Sequence, residues 1–268
     1  MPCYIKFRKH PEGSGYSMLY DIIVLGATFT AAGISASLGD KCLILESRPQ
    51  AGYEFLNALS FGTDYDIHAQ TAQANRLAEE FHARGVFTGG IPCLFPCAPA
   101  LYKLLQDKPV LLNMQILSVE HDAGVFTVTA HGVSGYRHFR AKAVVDTRTR
   151  KEQIRSRTLN LLLSCPDGQL PALGGGIIAQ PTSIPTEFIL KCPMPSTCDY
   201  LQARTAIAAL IRQLPDGLKI NLVADCFDDT LAAIQSRENC VQLLPSKQFA
   251  NPLLAFDAGV LFVQGGAL

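Results

Sequence analysis

Six residues, Gly26-Ala27-Thr28-Phe29-Thr30-Ala31, join an apolar, strand-like run to a helix-like run of small residues. Their types and spacing suit one kind of chemistry, the holding of a diphosphate. A turn that opens directly onto a helix N-terminus offers an anion free N–H groups and the positive end of the helix dipole. The three-glycine fingerprint of such turns is present in part. Gly26 is its first glycine, Thr28 stands where the second belongs, and Ala31 is a tolerated substitute for the third. Glu46 ends the next apolar run, where an acid can accept hydrogen bonds from a ribose. Ser47 and Arg48 follow it, and Arg48 has two readings of equal weight, an adenosine phosphate contact or a solvated side chain.

Other chemistry is thinly supported. Tyr65, His68 and Cys93 fall where an active-site loop would lie, but each reads first as a structural residue. The nine cysteines are an odd number and scattered. Cys93 and Cys97 are separated by three residues, Cys192 and Cys198 by five, and neither spacing with the six histidines completes a zinc set. No metal is expected. Reduced, buried thiols in a cytoplasmic protein are the reading adopted, with Cys93 and Cys97 held as a reserve pair of redox thiols.

The elements that must position the turn can be read around it. Residues 22–25 are apolar and β-branched, as in a parallel strand covered on both faces. A helix follows, Gly39-Asp40 breaks it, and residues 42–45 form a second apolar strand. Residues 69–84 are helical, with Ala72, Leu77 and Phe81 as the core face; 98–106 are a short helix. Residues 110–120, 125–130 and 136–145 then form a meander of three strands, the last re-entering the parallel sheet. Strands are expected at 187–191 and 218–224, and helices at 198–214 and 228–236. Asn251 caps a closing apolar helix with Pro252 in its first turn.

Composition narrows the function classes. Of 268 residues, 48% are hydrophobic and 17% charged, which demands a sizeable core. Lys plus Arg and Asp plus Glu both total 23, so nothing electrostatic draws the chain to nucleic acid or a membrane surface. No apolar run is long enough to span a bilayer. Residues 1–17 read as an N-terminal extension ahead of Met18.

Three pieces, in this order, resemble the FAD-dependent oxidoreductases of the glutathione-reductase-like superfamily: YDIIVLGATFTAAG with LILE, the meander ending in AKAVVDTR, and NPLLAFDAG. The resemblance implies an α/β fold. A Rossmann-like FAD-binding domain, a parallel sheet plus a three-stranded β-meander, would comprise 18–154 and 241–268. A smaller α+β substrate domain would be inserted at 155–240. It implies FAD as cofactor and a small-molecule substrate; a homo-oligomer is compatible with it. Gly26, Ala27, Thr28, Phe29 and Thr30 would line the diphosphate, with Glu46, Ser47 and Arg48 toward the adenosine. Ile116 would offer its backbone to the adenine, Thr147 would also contact the cofactor, and Leu253 and Leu254 would approach the flavin through helix N–H groups. Two departures, Thr28 and the Asp146-Thr147-Arg148 run in place of a small residue and glycine, support an alternative: a flavoprotein-like module without catalysis that binds a partner or serves a structural role. A nicotinamide-dependent dehydrogenase is a third reading, which the meander and closing helix fit less well.

Overall fold

The computed structural model describes residues 18–88, 91–93, 95–170, 173–232, 237–238 and 240–266. The expectation for 1–17 falls outside them. In chain order the elements begin with β1 (Leu19–Leu25), α1 (Phe29–Leu38), β2 (Cys42–Leu45), α2 (Ala72–Ala83), β3 (Phe87–Thr88), β4 (Ile91–Pro92), α3 (Cys97–Leu105) and β5 (Val110–Leu111). Then come β6 (Gln115–Asp122), β7 (Val125–Gly132), β8 (Gly135–Asp146), β9 (Ile154–Ser164), β10 (Ile178–Pro181) and β11 (Glu187–Met194). The chain continues through α4 (Tyr200–Ile211), β12 (Lys219–Val223), β13 (Asp228–Leu231), β14 (Arg237–Glu238) and β15 (Val241–Leu243) to α5 (Pro252–Gln264).

The first sheet runs β14-β15-β8-β1-β2-β5, parallel from β15 to β5. Strand β8 does two jobs. Its first half alternates exposed and buried residues and pairs antiparallel with β7; its last residues are buried on both faces and pair parallel with β1. That change of pattern, from Tyr136-Arg137-His138 to Ala143-Val144-Val145, is the change from a half-solvated to a doubly covered strand. The meander lies over one face of the parallel strands, where Ile23, Leu25, Leu43 and Val144 meet Val128 and Phe139. On the other face, Ile22, Val24 and Ile44 pack toward α1 and α5.

The sheet corrects one strand. Residues 110–120 are not continuous: β5 joins the parallel sheet beside β2, Asn113 turns the chain with φ of 57°, and only β6 enters the meander. A single partly alternating run concealed a change of partner.

The second sheet is antiparallel, β10-β11-β9-β12, with β13 also on β9. Its centre, Leu159 to Leu163 of β9, is buried and belongs to the same apolar cluster as Phe29, Phe55 and Phe61. Asp199 caps α4, and its buried positions are Ala203 and Ile207. Residues 228–231, expected in a helix, are strand β13; 233–236 lie outside the described residues. Asp228 and Asp229 are held extended because their carboxylates reach cations on other strands. The core face of α2 is Ala74, Leu77 and Phe81, with Ala72 exposed.

Helices α1 and α5 touch through two glycines. A methyl added at Gly33 would sit 2.0 Å from the Phe256 carbonyl oxygen, and one at Gly259 2.1 Å from that of Thr30. Only residues without a side chain let the two backbones approach this closely.

Candidate functional site: the turn between β1 and α1

The C-terminal ends of β1, β2 and β8 and the N-terminus of α1 converge on the expected turn. Gly26 has φ of 98° and donates its N–H to Leu45 O at 2.8 Å. Thr28 is the N-cap of α1: its hydroxyl accepts from Ala31 N at 3.1 Å and donates to Thr147 Oγ1 at 2.9 Å. The residue in the second glycine's place therefore acts as a cap, which satisfies one of the orphan donors of a helix start.

Three further turn amides are engaged. Ala27 N donates to Glu46 Oε2 at 2.9 Å, Phe29 N to Glu54 Oε1 at 2.9 Å, and Thr30 N to Ser246 Oγ at 3.4 Å. Glu46 is buried; its other oxygen accepts from Arg48 N at 2.8 Å and Ser47 Oγ at 3.2 Å. Thr147 is buried, and the stem of Arg148 lies over Gly26. A methyl on Gly26 would lie 2.6 Å from Arg148 Cγ and 3.1 Å from Thr147 Oγ1. The Arg148 guanidinium is forked on the buried Asp146 carboxylate, Nε to Oδ1 and Nη2 to Oδ2, both at 2.9 Å. Arg150 shares that carboxylate at 3.1 Å. In this arrangement the turn does not accommodate a diphosphate. The amides of residues 27, 29, 30 and 31 are bonded to the protein's own side chains, and an arginine stem covers the glycine.

Gly26, Ala27, Thr28, Phe29, Thr30, Glu46, Ser47, the Arg48 amide and Thr147 are thus brought together. The Arg48 guanidinium lies 4.2 Å from the centre of the Tyr53 ring. Phe29 contributes its amide here, while its ring packs edge-on to Phe55 and Phe81 in the core. Ile116 is half-buried in β6, packed against the meander core. Leu253 is buried and Leu254 half-buried at the start of α5, where Asn251 Oδ1 accepts from Leu254 N at 2.9 Å.

Two residues at the turn carried no sequence signal: Glu54 and Ser246. Glu54 arrives on the loop after β2, which is anchored by Gly52 N to Ala27 O at 2.7 Å. Its Oε1 accepts from Phe29 N and from Ser246 Oγ, the latter at 2.8 Å, while Oε2 has no hydrogen-bond partner. Burial pushes the Glu54 carboxyl up to about 7, against the pull of its hydrogen bonds. Glu54 also borders a cleft of about 290 Å³ with Arg48, Tyr53, Arg157, Phe227 and Lys247. The cleft lies between the turn and the second sheet, with cations and aromatic rings on its walls.

The other candidates lie apart from this constellation. His68 is exposed, and the Tyr65 hydroxyl donates to the Phe61 carbonyl. Burial pushes the thiols of Cys42 and Cys226 up to about 12 and that of Cys192 to about 11, and Cys97 is raised likewise. A protonated, buried thiol is a poor nucleophile. Aromatic-disulfide titration of the native protein should therefore modify the exposed Cys240 well before these four, which should react only on unfolding; fast reaction of all of them in the folded state would contradict the structure. Among the described residues no three His, Cys, Asp or Glu side chains converge as a metal site requires, and no helix is long and apolar enough to cross a membrane.

Neither a protein-family model nor a curated protein sequence matches the chain. Solved structures do. p-Nitrophenol 4-monooxygenase PnpA from Pseudomonas putida is similar over 94% of this chain and 79% of its own, with a TM-score of 0.58 at 13% identity. A flavoprotein/dehydrogenase from Cytophaga hutchinsonii aligns over 92% and 79%, with a TM-score of 0.52 at 12% identity. The ternary complex of aklavinone-11 hydroxylase with FAD and aklavinone aligns over 92% of this chain, which spans 63% of the hydroxylase, with a TM-score of 0.52 at 14% identity. The fold is that of these flavoproteins: a Rossmann-type parallel sheet with a meander, and a second, antiparallel sheet.

Proposed function

We propose that the chain is an FAD-dependent oxidoreductase acting on a small molecule. The order of its parts carries this reading: β1-α1-β2 crossover, meander, second sheet and closing helix α5, shared over almost the whole chain with the monooxygenase above. In this proposal 18–154 and 241–268 form the dinucleotide-binding unit, 155–240 the substrate side, and the charged cleft between them receives the substrate. The protein would be cytoplasmic and would belong with the glutathione-reductase-like superfamily. FAD would bring the redox chemistry, and the chain would bind and orient. For FAD to seat on α1, the Glu54 carboxylate and the Arg148 stem must give way.

The experiment is direct. Protein purified without added cofactor is scanned for flavin absorbance, then melted with and without FAD. A cofactor at about 100 times its Kd adds about 2.7 kcal/mol to stability, a shift of several degrees for a chain of this size. Colourless protein whose melting temperature ignores FAD would sink the proposal.

One observation favours the alternative, a flavoprotein-like module without catalysis: the engaged amides and the arginine over Gly26. On that reading the fold is kept for a partner or for structure. Tight FAD in the unaltered protein would remove it.

A further inference from the structure

The N-terminus of α1 is occupied by a part of the chain itself. A carboxylate, the Glu54 side chain, accepts the Phe29 N–H at 2.9 Å, the bond a bound phosphate oxygen would take. The residue is only 5% exposed, and its second oxygen is buried with no hydrogen-bond partner. An unsatisfied buried oxygen on an acid is costly. The helix N-terminus offsets part of that cost, since negative charge is favoured there. Three further contacts hold the occupant in place. Ser246 Oγ donates to Glu54 Oε1 at 2.8 Å, Gly52 N ties the loop to Ala27 O, and Arg148 Cγ walls the Gly26 side.

We propose that Glu54 is a built-in occupant of the α1 cradle, so that a nucleoside diphosphate, free or as half of a dinucleotide, binds there only by displacing its carboxylate. The inference goes beyond a redox function, because it concerns the cradle and holds for any diphosphate. Carboxylate and diphosphate compete for one N-terminus, and their charges repel across a partly desolvated site.

ADP is the probe, because it carries the diphosphate without a flavin; FAD is the second. Binding of each is measured by isothermal titration to the full chain and to its Glu54→Gln and Glu54→Ala variants. Glutamine keeps an oxygen for the Phe29 N–H and the shape of the side chain, so it guards against failure to fold; circular dichroism checks both variants. Removal of the charge is expected to tighten ADP and FAD by about tenfold or more, or roughly 1.4 kcal/mol, and to make the melting temperature of both variants rise with ADP more than that of the unaltered protein. Equal affinity in all three proteins, no ADP binding by any of them, or a gain for FAD without one for ADP would each overturn the inference. The two readings separate cleanly. A Glu54→Gln protein that takes ADP but not FAD keeps this inference and loses the flavin proposal. A yellow unaltered protein indifferent to Glu54 does the reverse.

Discussion

Replacing Asp228 with alanine is expected to destabilise the protein by about 3–5 kcal/mol, the cost of removing one partner from a buried ion pair. Asp228 opens β13 with its side chain 11% exposed, and two lysines converge on it. Lys247 Nζ lies 2.7 Å from Oδ1 and Lys191 Nζ 3.2 Å from Oδ2, with Asn160 Nδ2 donating to Oδ2 at 3.2 Å. Lys247 is itself 10% exposed, bonded to Ser60 Oγ at 2.6 Å and 4.6 Å from the centre of the Phe55 ring. Without Asp228 it would be a buried cation lacking its counter-charge. Urea unfolding measures the loss, and a double-mutant cycle with Lys247→Ala should return a coupling well above that of exposed pairs, about 1 kcal/mol or less. A loss under 1 kcal/mol for Asp228→Ala would show that water reaches the cluster.

The same cluster sets an acid limit. Burial alone would raise the Asp228 carboxyl, but Lys247 and Lys191 outweigh it and hold it at about 2, below the ordinary 3.8. A depressed carboxyl stabilises the fold above its unfolded value, and that contribution disappears as pH falls from about 4 toward 2. Glu54 works in the opposite sense. Its carboxyl is raised from 4.5 to about 7 by burial, so its contribution is complete below about 4.5 and fades as pH climbs to 7. Denaturation midpoints across pH should show both slopes. Asp228→Asn should abolish the acid one and Glu54→Gln the neutral one; unchanged slopes in the variants would refute the assignments.

How much of this was legible in the chain depends on the range of the interactions. The crossover was, because residues 22–25 of β1 and the whole of β2 are buried and spell out as unbroken apolar runs, and because Asn251 and Pro252 cap α5 within three residues of sequence. The filling of the turn was not. Glu54 is a lone acid in a loop, and its meaning comes from partners 25 and 192 residues away. Arg148 stood out as a departure, but whether it reached for a phosphate or covered Gly26 was decided by Asp146, which turns its guanidinium back onto the sheet. Strand β13 was read as a helix for a related reason. Two adjacent acids are poor strand formers, and the cations that reward the extended form, Arg157, Lys191 and Lys247, come from three other segments.

Gly33→Ala is expected to cost about 3 kcal/mol or more, against a local preference that points the other way. Within a helix, alanine for glycine is worth about 0.5–1 kcal/mol in its favour. Here the added methyl would meet backbone, 2.0 Å from Phe256 O and 3.0 Å from Val260 N. A backbone neighbour cannot rotate away as a side-chain tip can, so α5 must lift from α1, and overpacking of this kind costs about 1–3 kcal/mol even where side chains can adjust. Lifting α5 also disturbs Asp257, whose carboxylate accepts from the amides of Gln70 and Thr71 at 2.7 and 3.0 Å, so the penalty should exceed the methyl contact alone. Gly259→Ala meets Thr30 O at 2.1 Å and should cost a similar amount. One separation of the helices relieves both clashes, so the double variant should lose clearly less than the sum of the singles. Gly174→Ala, where a methyl would meet nothing within 4 Å, is the control and should be nearly neutral. Guanidinium unfolding of the four proteins decides the matter: stabilisation by Gly33→Ala, or strict additivity with Gly259→Ala, would mean that the two helices do not cross glycine to glycine.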